Sequence, residues 1–233
     1  MSSENTALSL RDVGFAWPGR GSFGVTCPKL DLGHGESVLL VGESGSGKST
    51  LLSLVCGIVT AVSGTVTVDG TNLGSLRAGA RDRFRAEQIG VIFQQFNLLP
   101  YATVGDNILL PLRFAPERRG RAGDGATEAA RLCAALGLPH AVTAMQAGRL
   151  SVGQQQRVAV ARALIGTPPL IVADEPTSAL DAATQDAFLE LLFEQTKAAG
   201  SALLMVSHDE RLGTHFDRVV RLEDIVTVPK VAA

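Results

Sequence analysis

The stretch that decides the fold reads Gly42-Glu43-Ser44-Gly45-Ser46-Gly47-Lys48-Ser49. It fits the spacing G-x-x-x-x-G-K-[ST], in which glycines let backbone N–H groups surround phosphate oxygens and a lysine reaches the outer phosphates. The apolar run Ser37–Val41 precedes this stretch, and helix-like sequence over Ser49–Cys56 follows it. This context favours a phosphate-binding loop between a buried strand and a helix over an ordinary Gly/Ser turn.

The residue types in this loop indicate a nucleoside triphosphate site. Lys48 is expected to reach the β and γ phosphates of ATP, and Ser49 is expected to supply a hydroxyl ligand to Mg²⁺. The residues of this stretch expected to contact the nucleotide are Gly42, Glu43, Ser44, Gly45, Ser46, Gly47, Lys48, Ser49 and Thr50.

A second motif supplies carboxylates for the same chemistry. The apolar run Leu170–Ala173 leads directly into Asp174 and Glu175. An α/β sheet delivers such residues at the carboxyl ends of its strands, beside the phosphates. Asp174 is expected to hold Mg²⁺ through water, and Glu175 is expected to polarise the water that attacks ATP. The alternative is an acidic pair that only caps the next helix, and the phosphate loop upstream argues against it.

The composition limits the size and class of the protein. The 233 residues are 45% apolar and 19% charged, which is enough apolar content for one sizeable core. No run approaches the ~18 uninterrupted apolar residues of a membrane-spanning helix, and the N-terminal sequence is polar without an apolar signal core. We therefore expect a cytoplasmic chain unless a partner recruits it.

Cysteine usage and charge argue against several other classes. Cys27, Cys56 and Cys133 lie far apart without CxxC or Cys/His spacing, so we expect buried small apolar residues rather than disulfides or a zinc site. A net charge of −2 gives no general attraction to nucleic acid. The arginine-rich stretches 77–85 and 118–121 are interpreted as solvated surface, with nucleic-acid contact as a minor alternative.

Apolar periodicity along the chain predicts the secondary structure. The first ~35 residues indicate antiparallel strands and turns. Strands that alternate with helices in the rest of the chain indicate a mainly parallel sheet. The further predicted strands are Ser37–Val41, Thr65–Val68, Ile89–Phe93, Leu170–Ala173, Ala202–Val206 and one near Val219–Leu222, and the predicted helices include Ser49–Cys56, Arg77–Gln88 and Gln185–Ala199.

One region has a predominantly helical pattern. It runs from about residue 94 to residue 163, with a helix over Ala126–Leu136 and another that opens at Leu150. We expect a single domain over residues 1–233, with a core formed by 1–93 and 164–233 and a helical subdomain over 94–163.

A third motif, Leu150-Ser151-Val152-Gly153-Gln154-Gln155-Gln156-Arg157, opens the last of these helices. Ser151 and the backbone N–H groups around Gly153 would form an anion site at the helix N-terminus, although a bare helix cap is an alternative. Together with the first two motifs, this stretch resembles the signature of ATP-binding cassette (ABC) ATPases, whose usual form is LSGGQ. The resemblance implies a RecA-like P-loop core with a mainly parallel sheet, an antiparallel β region and an inserted α-helical subdomain.

The resemblance also implies functions for residues that are uninformative alone. Trp17 matches the aromatic that stacks on adenine, Gln94 the glutamine that senses Mg²⁺ and the attacking water, and His208 the histidine at the γ-phosphate. The stretch Ser178–Asp181 resembles the loop that crosses the dimer interface, so Asp181 is expected near the nucleotide. Singly, these residues are as compatible with a packed aromatic, a polar linker, a strand-end histidine and a helix cap. Their order along the chain favours the functional interpretation.

The resemblance implies a dimer that encloses ATP. Ser151, Gly153 and Gln154 of one copy would close over ATP held by Lys48 of the other. Val152 stands where the family usually has glycine, and a β-branched residue there indicates ordinary αR or β backbone. The implied catalytic residues are Lys48, Gln94, Glu175 and His208, and the implied metal ligands are Ser49, Gln94 and Asp174.

The sequence of residues 83–112 resembles one branch of the ABC ATPases, which serves lipoprotein release, macrolide-type efflux and the cell-division pair. The implied function is the ATPase subunit of a membrane exporter or envelope mechanotransmission complex, peripheral on the inner face of the membrane through a permease. A regulatory ABC ATPase in a membrane complex is an alternative that the sequence does not separate. A soluble ABC ATPase is a further alternative, but the sequence shows none of the long coiled coil, zinc cysteines or second cassette usual in that class. A P-loop kinase or GTPase is another, but the sequence has no Asn-Lys-x-Asp guanine motif and the stretch Leu150–Arg157 would then have no function.

An apolar run beside Gln94 is the predicted docking surface for the permease. It lies between Gln94 and Asn107, and core packing is the alternative for any single residue in it. The run includes Phe96, Leu98, Leu99, Pro100 and Tyr101.

Overall fold

The computed structural model describes residues 6–18, 24–43, 45–139, 141–178, 180 and 182–227. The strands are β1 (Thr6–Ala16), β2 (Gly24–Gly33), β3 (Ser37–Val41), β4 (Ser63–Val68), β5 (Thr71–Asn72), β6 (Ile89–Ile92), β7 (Leu170–Asp174), β8 (Ala202–Ser207) and β9 (Arg218–Arg221). The helices are α1 (Lys48–Val55), α2 (Ala78–Gln88), α3 (Val104–Leu109), α4 (Pro116–Ala122), α5 (Gly125–Ala135), α6 (Val152–Leu164), α7 (Ala182–Ala199) and α8 (Leu222–Ile225).

A five-stranded parallel sheet forms the centre of the molecule. Its strand order is β6-β7-β8-β3-β9, and each neighbouring pair is parallel. Every residue of β3 and β8 is buried, as expected for strands covered on both faces. Because these strands run in one direction, the segments that follow β3, β6, β7 and β8 meet at one edge of the sheet. The predicted α/β fold with a mainly parallel sheet is confirmed.

An antiparallel sheet packs on one face of the parallel sheet. Its strand order is β2-β1-β4-β5, and β1 pairs antiparallel with both β2 and β4. Successive residues of a strand point to opposite faces, and Val38 and Leu40 of β3 share an apolar cluster with Leu10 and Leu32 of this sheet. This arrangement confirms the predicted antiparallel region and places the end of β1, with Trp17 after it, next to the core.

Helices α3, α5 and α6, together with α7, cover the opposite face. Leu39 and Val41, the alternate residues of β3, lie in a second apolar cluster with Ile108 of α3, Leu132 of α5 and Val158 of α6. The parallel sheet is therefore the middle of three layers. Of the helical layer, α3, α5 and α6 fall in the region predicted to be helical, and the division of the domain at residues 94 and 163 stays a prediction.

Some element ends differ from the sequence prediction. The helix predicted from Leu150 begins at Val152, because Ser151 is its N-cap and has extended backbone. The strand predicted to reach Phe93 ends at Ile92, since the carbonyl of Phe93 accepts a turn hydrogen bond from the N–H of Phe96. The helix predicted from Gln185 begins at Ala182.

The interpretation of residues 118–121 as solvated surface is wrong for Arg118, which is 1% exposed. Its guanidinium enters the interior because it donates hydrogen bonds to backbone carbonyls at the ends of two helices, which replace the lost water. Burial lowers the pKa of Arg118 to about 10, with the nearby Arg121 also lowering it and Glu87 raising it. The accepting carbonyls belong to Ala86, Ile89, Arg162, Ala163 and Ile165.

Two expectations from composition bear on the fold. Cys27, Cys56 and Cys133 are free and buried, as predicted. Burial raises the pKa of the Cys56 thiol to about 12, so it packs as a neutral apolar group. Within the described ranges, none of the helices has both the length and the apolarity that a membrane crossing requires.

Candidate active site

The phosphate loop leaves β3 and runs into α1. Gly45 and Gly47 have φ angles of 83° and 98°, in the left-handed region that glycine adopts without strain. Gly47 is the N-cap of α1 and makes no side-chain cap, so the first N–H groups of the helix stay available for an anion. This geometry suits a phosphate group. Ser44, also expected to contact the nucleotide, lies outside the described residues.

Lys48 begins α1 and folds back over the loop. Its ammonium donates hydrogen bonds to the carbonyls of Gly42 at 2.5 Å and Glu43 at 3.0 Å. The same nitrogen lies 3.5 Å from Oε1 of Glu175. The lysine side chain is buried, so phosphate oxygens that enter the loop would compete with these three partners for its charge.

Asp174 and Glu175 lie at the end of β7, on the same edge. Glu175 has a φ of 42°, a conformation that costs a non-glycine residue roughly 1–2 kcal/mol. Its N–H donates to the carbonyl of Val206 at 3.0 Å, which helps to hold this backbone. Burial and then the neighbouring Glu175 carboxylate raise the pKa of Asp174, and Lys48 lowers it. The Glu175 carboxylate thus faces Lys48, and Asp174 lies next to it at the end of β7.

Two more predicted residues lie at this edge. His208 follows β8, and its Nδ1 is 3.3 Å from Oε2 of Glu175. Gln94 follows β6, and its Nε2 is 3.5 Å from Oγ of Ser178. The structure thus brings Lys48, Glu175 and His208 into contact, whereas Gln94 contacts the loop that follows Glu175.

Trp17 is attached to α1 by a hydrogen bond that the sequence did not reveal. Its indole N–H donates to Oγ1 of Thr50 at 3.1 Å. The ring also packs edge-on against Phe15, with centroids 5.1 Å apart. Phe15 was not singled out from the sequence, although its spacing of two from Trp17 on a strand was a signal that both side chains share a face. The ring of Trp17 is therefore held beside the phosphate loop.

The signature motif lies at the N-terminus of α6. The N–H of Gln154 donates to Oγ of Ser151 at 3.3 Å, and the N–H of Ser151 donates to Oε1 of Gln154 at 3.0 Å. Val152 adopts helical backbone, as predicted, and is 52% exposed. Gly153 has open space around it. These hydrogen bonds join Ser151 to Gln154, and neither joins this end of α6 to the chain's own phosphate loop.

The donor atoms at this edge suit magnesium. Ser49 is exposed in the first turn of α1, and it lines the same groove as Asp174. Hydroxyl and carboxylate oxygens are ligands that Mg²⁺ prefers, with nucleotide phosphates completing its shell. No group of three or more His, Cys, Asp or Glu in the described ranges forms a metal site from protein alone. Asp181, expected near the nucleotide, lies outside the described residues.

Comparison with protein families decides the assignment. A family model described as ABC transporter matches residues 26–178, more than half of the chain. The chain belongs to the ABC transporter family. The matched span of this ABC cassette includes the phosphate loop, the signature motif and Glu175.

Curated relatives place the ABC cassette in a branch. It is 41% identical over 195 residues to the lipoprotein-releasing system ATP-binding protein LolD of Geobacter metallireducens, covering 84% of this chain and 85% of LolD. It is 40% identical over 198 residues to YbbA of Escherichia coli, an uncharacterised ABC transporter ATP-binding protein, covering 85% of each. The cassette therefore lies in the LolD-like branch, as the sequence predicted.

Solved structures agree with the fold and with ATP hydrolysis. The dimeric cassette MJ0796 matches with a TM-score of 0.78 and 31% identity, over 92% of this chain and 93% of that one. A post-hydrolysis dimer of MJ0796 bound to ADP and Pi matches with a TM-score of 0.77 and 32% identity, over 97% and 99%. The protein is an ATP-binding ABC ATPase with a RecA-like P-loop fold.

Proposed function

We propose that this ATPase is the nucleotide-binding subunit of a membrane exporter or envelope mechanotransmission complex. It drives a separate membrane-spanning permease through ATP-driven closure of a dimer, and it is peripheral on the cytoplasmic face of the membrane. Membership of the branch that includes LolD supports this proposal. The observation that carries it is an open apolar groove that reaches the candidate metal ligands.

The resting contacts of the site suggest how its residues act. Lys48 is shared between loop carbonyls and Glu175. When the β and γ phosphates of ATP take up the lysine, Glu175 loses that cation and its carboxylate becomes free to accept the proton of the attacking water. His208, whose Nδ1 is 3.3 Å from Glu175, would contact the γ-phosphate.

Magnesium would be held by Ser49 and Asp174, with Gln94 at the end of the neighbouring strand. The ion supplies charge neutralisation for the β and γ phosphate oxygens. Burial and then the neighbouring Glu175 carboxylate raise the pKa of Asp174, and a cation bound nearby would offset both effects. Ser49 contributes a neutral hydroxyl from the helix that also carries Lys48.

The second copy completes each site. Ser151, Gly153 and Gln154 sit at the end of a helix of 13 residues, where backbone N–H groups and the helix dipole favour an anion. In the described part of the chain, the side chains of Ser151 and Gln154 each accept a hydrogen bond from the other's N–H, and the dimeric cassette MJ0796 shows that a relative assembles in pairs. We infer that this end closes over the γ-phosphate held by the other copy.

The groove is the proposed docking site for the permease. It has a volume of about 750 Å³ and is lined by parts of α1, α2, β6 and the turn after α3, and Ser49 and Asp174 also line it. Phe93, Phe114 and Ile58 line it and are 37%, 66% and 57% exposed. Exposed apolar surface of this kind marks an interaction site, and a groove suits an amphipathic helix of the partner.

The docking surface predicted between Gln94 and Asn107 is partly wrong. Phe96 is 7% exposed and belongs to the apolar core, so it is not available to a partner. Tyr101, at 75% exposed, remains available. We infer that the partner instead contacts the groove that Phe93 and the turn after α3 line.

The test is the Phe114→Asp variant, with Val62→Asp as its control. Val62 is 79% exposed and does not line the groove. Detergent-solubilised native membranes supply the permease. Captured proteins are identified by mass spectrometry, and the permease is recognised by the membrane-spanning segments in its sequence. We expect Phe114→Asp to bind ATP normally but to lose both permease capture and stimulation of hydrolysis, while Val62→Asp keeps both. Full hydrolysis without any membrane partner, or undiminished stimulation of Phe114→Asp, would contradict the proposal.

A further inference from the structure

Helix α6 carries two buried polar side chains that the proposed mechanism does not use. Gln156 is 1% exposed and Arg162 is 8% exposed. Burying an amide or a guanidinium costs free energy unless its hydrogen bonds are replaced inside the protein. The hydrogen-bond acceptors of these two side chains therefore identify the backbone segments that α6 stabilises.

Gln156 holds the backbone next to Glu175. Its Nε2 donates to the carbonyl of Pro176 at 2.6 Å, and Pro176 directly follows Glu175. On the other side, the N–H of Glu175 donates to the carbonyl of Val206 at 3.0 Å. The strained φ of 42° at Glu175 is thus fixed from both sides, and one of the two fixing groups comes from α6.

Arg162 holds the backbone that follows Gln94. Its guanidinium donates to the carbonyl of Asn97 at 2.7 Å and to the carbonyl of Phe96. Phe96 and Asn97 are consecutive non-glycine residues with φ of 57° and 50°, a combination that persists only where the surroundings hold it. Arg162 therefore sets the path of the chain as it leaves Gln94.

We propose that Gln156 and Arg162 are positioning residues for ATP hydrolysis, which fix the backbone beside Glu175 and Gln94 from the helix that Ser151 caps. The proposal rests on the functions proposed above for Glu175, Gln94 and Ser151.

The helix gives this arrangement a second consequence. With a rise of 1.5 Å per residue, Gln156 and Arg162 lie about 8 Å and about 16 Å along the axis from Ser151. The hydrogen bonds of Gln156 and Arg162 therefore connect the helix that Ser151 caps to the segments that carry Glu175 and Gln94.

The chain offers matched controls on the same helix. Gln156→Met keeps the length of the side chain but removes the donor, and its control is Gln155→Met, since the side-chain amide of Gln155 donates to the carbonyl of Leu150 rather than to a residue beside Glu175. Arg162→Met is matched by Arg157→Met, since Arg157 donates to carbonyls at residues 136 and 137, away from both catalytic segments.

The measurements are kcat and KM for ATP hydrolysis, nucleotide affinity, and the folded fraction from thermal melting of the full chain. We expect Gln156→Met and Arg162→Met to lower kcat tenfold or more at a nucleotide affinity within twofold of the native chain. The controls should stay within twofold in both quantities. Arg162→Lys should recover part of kcat, because lysine can still donate to one of the two carbonyls. A purely structural contribution would instead lower kcat only in proportion to the folded fraction.

A second measurement needs no dimer and no turnover. Amide hydrogen exchange of the nucleotide-free chain should be faster at residues 177–178 in the Gln156 variant and at residues 94–97 in the Arg162 variant than in the controls. If a methionine variant does not fold, the kinetic and the hydrogen-exchange measurements are made on Gln156→Asn or Arg162→Lys instead. Equal kcat and equal exchange in variants and controls would overturn the positioning proposal alone. Native-rate hydrolysis by Glu175→Gln would instead overturn the proposed catalytic function and, with it, this inference.

Discussion

Replacing Trp17 tests the proposed contact with adenine. Trp17 is the single tryptophan of the chain, and its indole N–H is bonded to Thr50 of α1. Trp17→Phe keeps a ring that can stack on a base but removes this donor. Trp17→Ala removes both the ring and the donor, so the two variants separate stacking from anchoring.

The expected size of the effect follows from these contacts. A base stacked on an aromatic ring contributes roughly 1–3 kcal/mol, and a neutral hydrogen bond contributes about 1 kcal/mol. The indole is already fixed by Thr50 and by its edge contact with Phe15, so little ordering remains to oppose binding. We expect Trp17→Phe to weaken ATP binding by about fivefold or less, and Trp17→Ala by about tenfold or more.

The assay is calorimetric titration of ATP in a Glu175→Gln background, where the nucleotide is not consumed. Thermal melting of both variants controls for lost packing against Phe15. Equal affinities of the phenylalanine and alanine variants, at equal folded fraction, would refute the stacking function. GTP should bind within a few-fold of ATP, because stacking reads the face of a base rather than its edges.

Three further predictions concern hydrolysis, metal and stability. Glu175→Gln should bind ATP normally but stall hydrolysis and accumulate an ATP-bound dimer, as size-exclusion chromatography would show; near-native turnover would remove Glu175 from catalysis. Ser49→Ala should raise the Mg²⁺ concentration for half-maximal hydrolysis tenfold or more, and an unchanged Mg²⁺ titration would exclude Ser49 as a ligand. Arg118→Ala should lower the free energy of unfolding by about 3 kcal/mol or more, because five buried carbonyls lose their donor. For a chain of this size that is a drop in Tm of roughly 6–12 °C. Arg119→Ala, an exposed neighbour, should melt as the native chain does, and equal Tm values for the two variants would contradict the reasoning.

The sequence predicted those parts of the fold and site whose determinants are local. The phosphate loop is encoded by glycines at fixed spacing after an apolar strand, and Asp174 and Glu175 by their position at the end of another. The alternation in β3 shows why the layers were predictable as well. Val38 and Leu40 lie in one apolar cluster and Leu39 and Val41 lie in the other. A continuous apolar run therefore indicates a strand whose two faces are both buried.

The parts that the sequence did not predict depend on distant groups. Arg118 is buried because carbonyls more than 25 residues away in sequence surround it, and nothing in its own neighbourhood shows them. Phe96 is buried for the same kind of reason, since Arg162 holds its backbone in a conformation that turns the side chain into the core. The hydrogen bonds of Gln156 and Trp17 also join residues far apart along the chain.

The environment of Arg118 has a consequence for the order of folding. Its acceptors come from the end of α2 and the end of α6, two segments about 75 residues apart in sequence, and α4 brings the donor to them. Until all three segments have met, dehydrating the guanidinium would leave a buried charge without acceptors, so it stays hydrated. We therefore expect α4 to dock late in folding, in a single step. Protease sites in residues 113–125 should remain cleavable after the parallel sheet has formed, and become protected in a single kinetic phase.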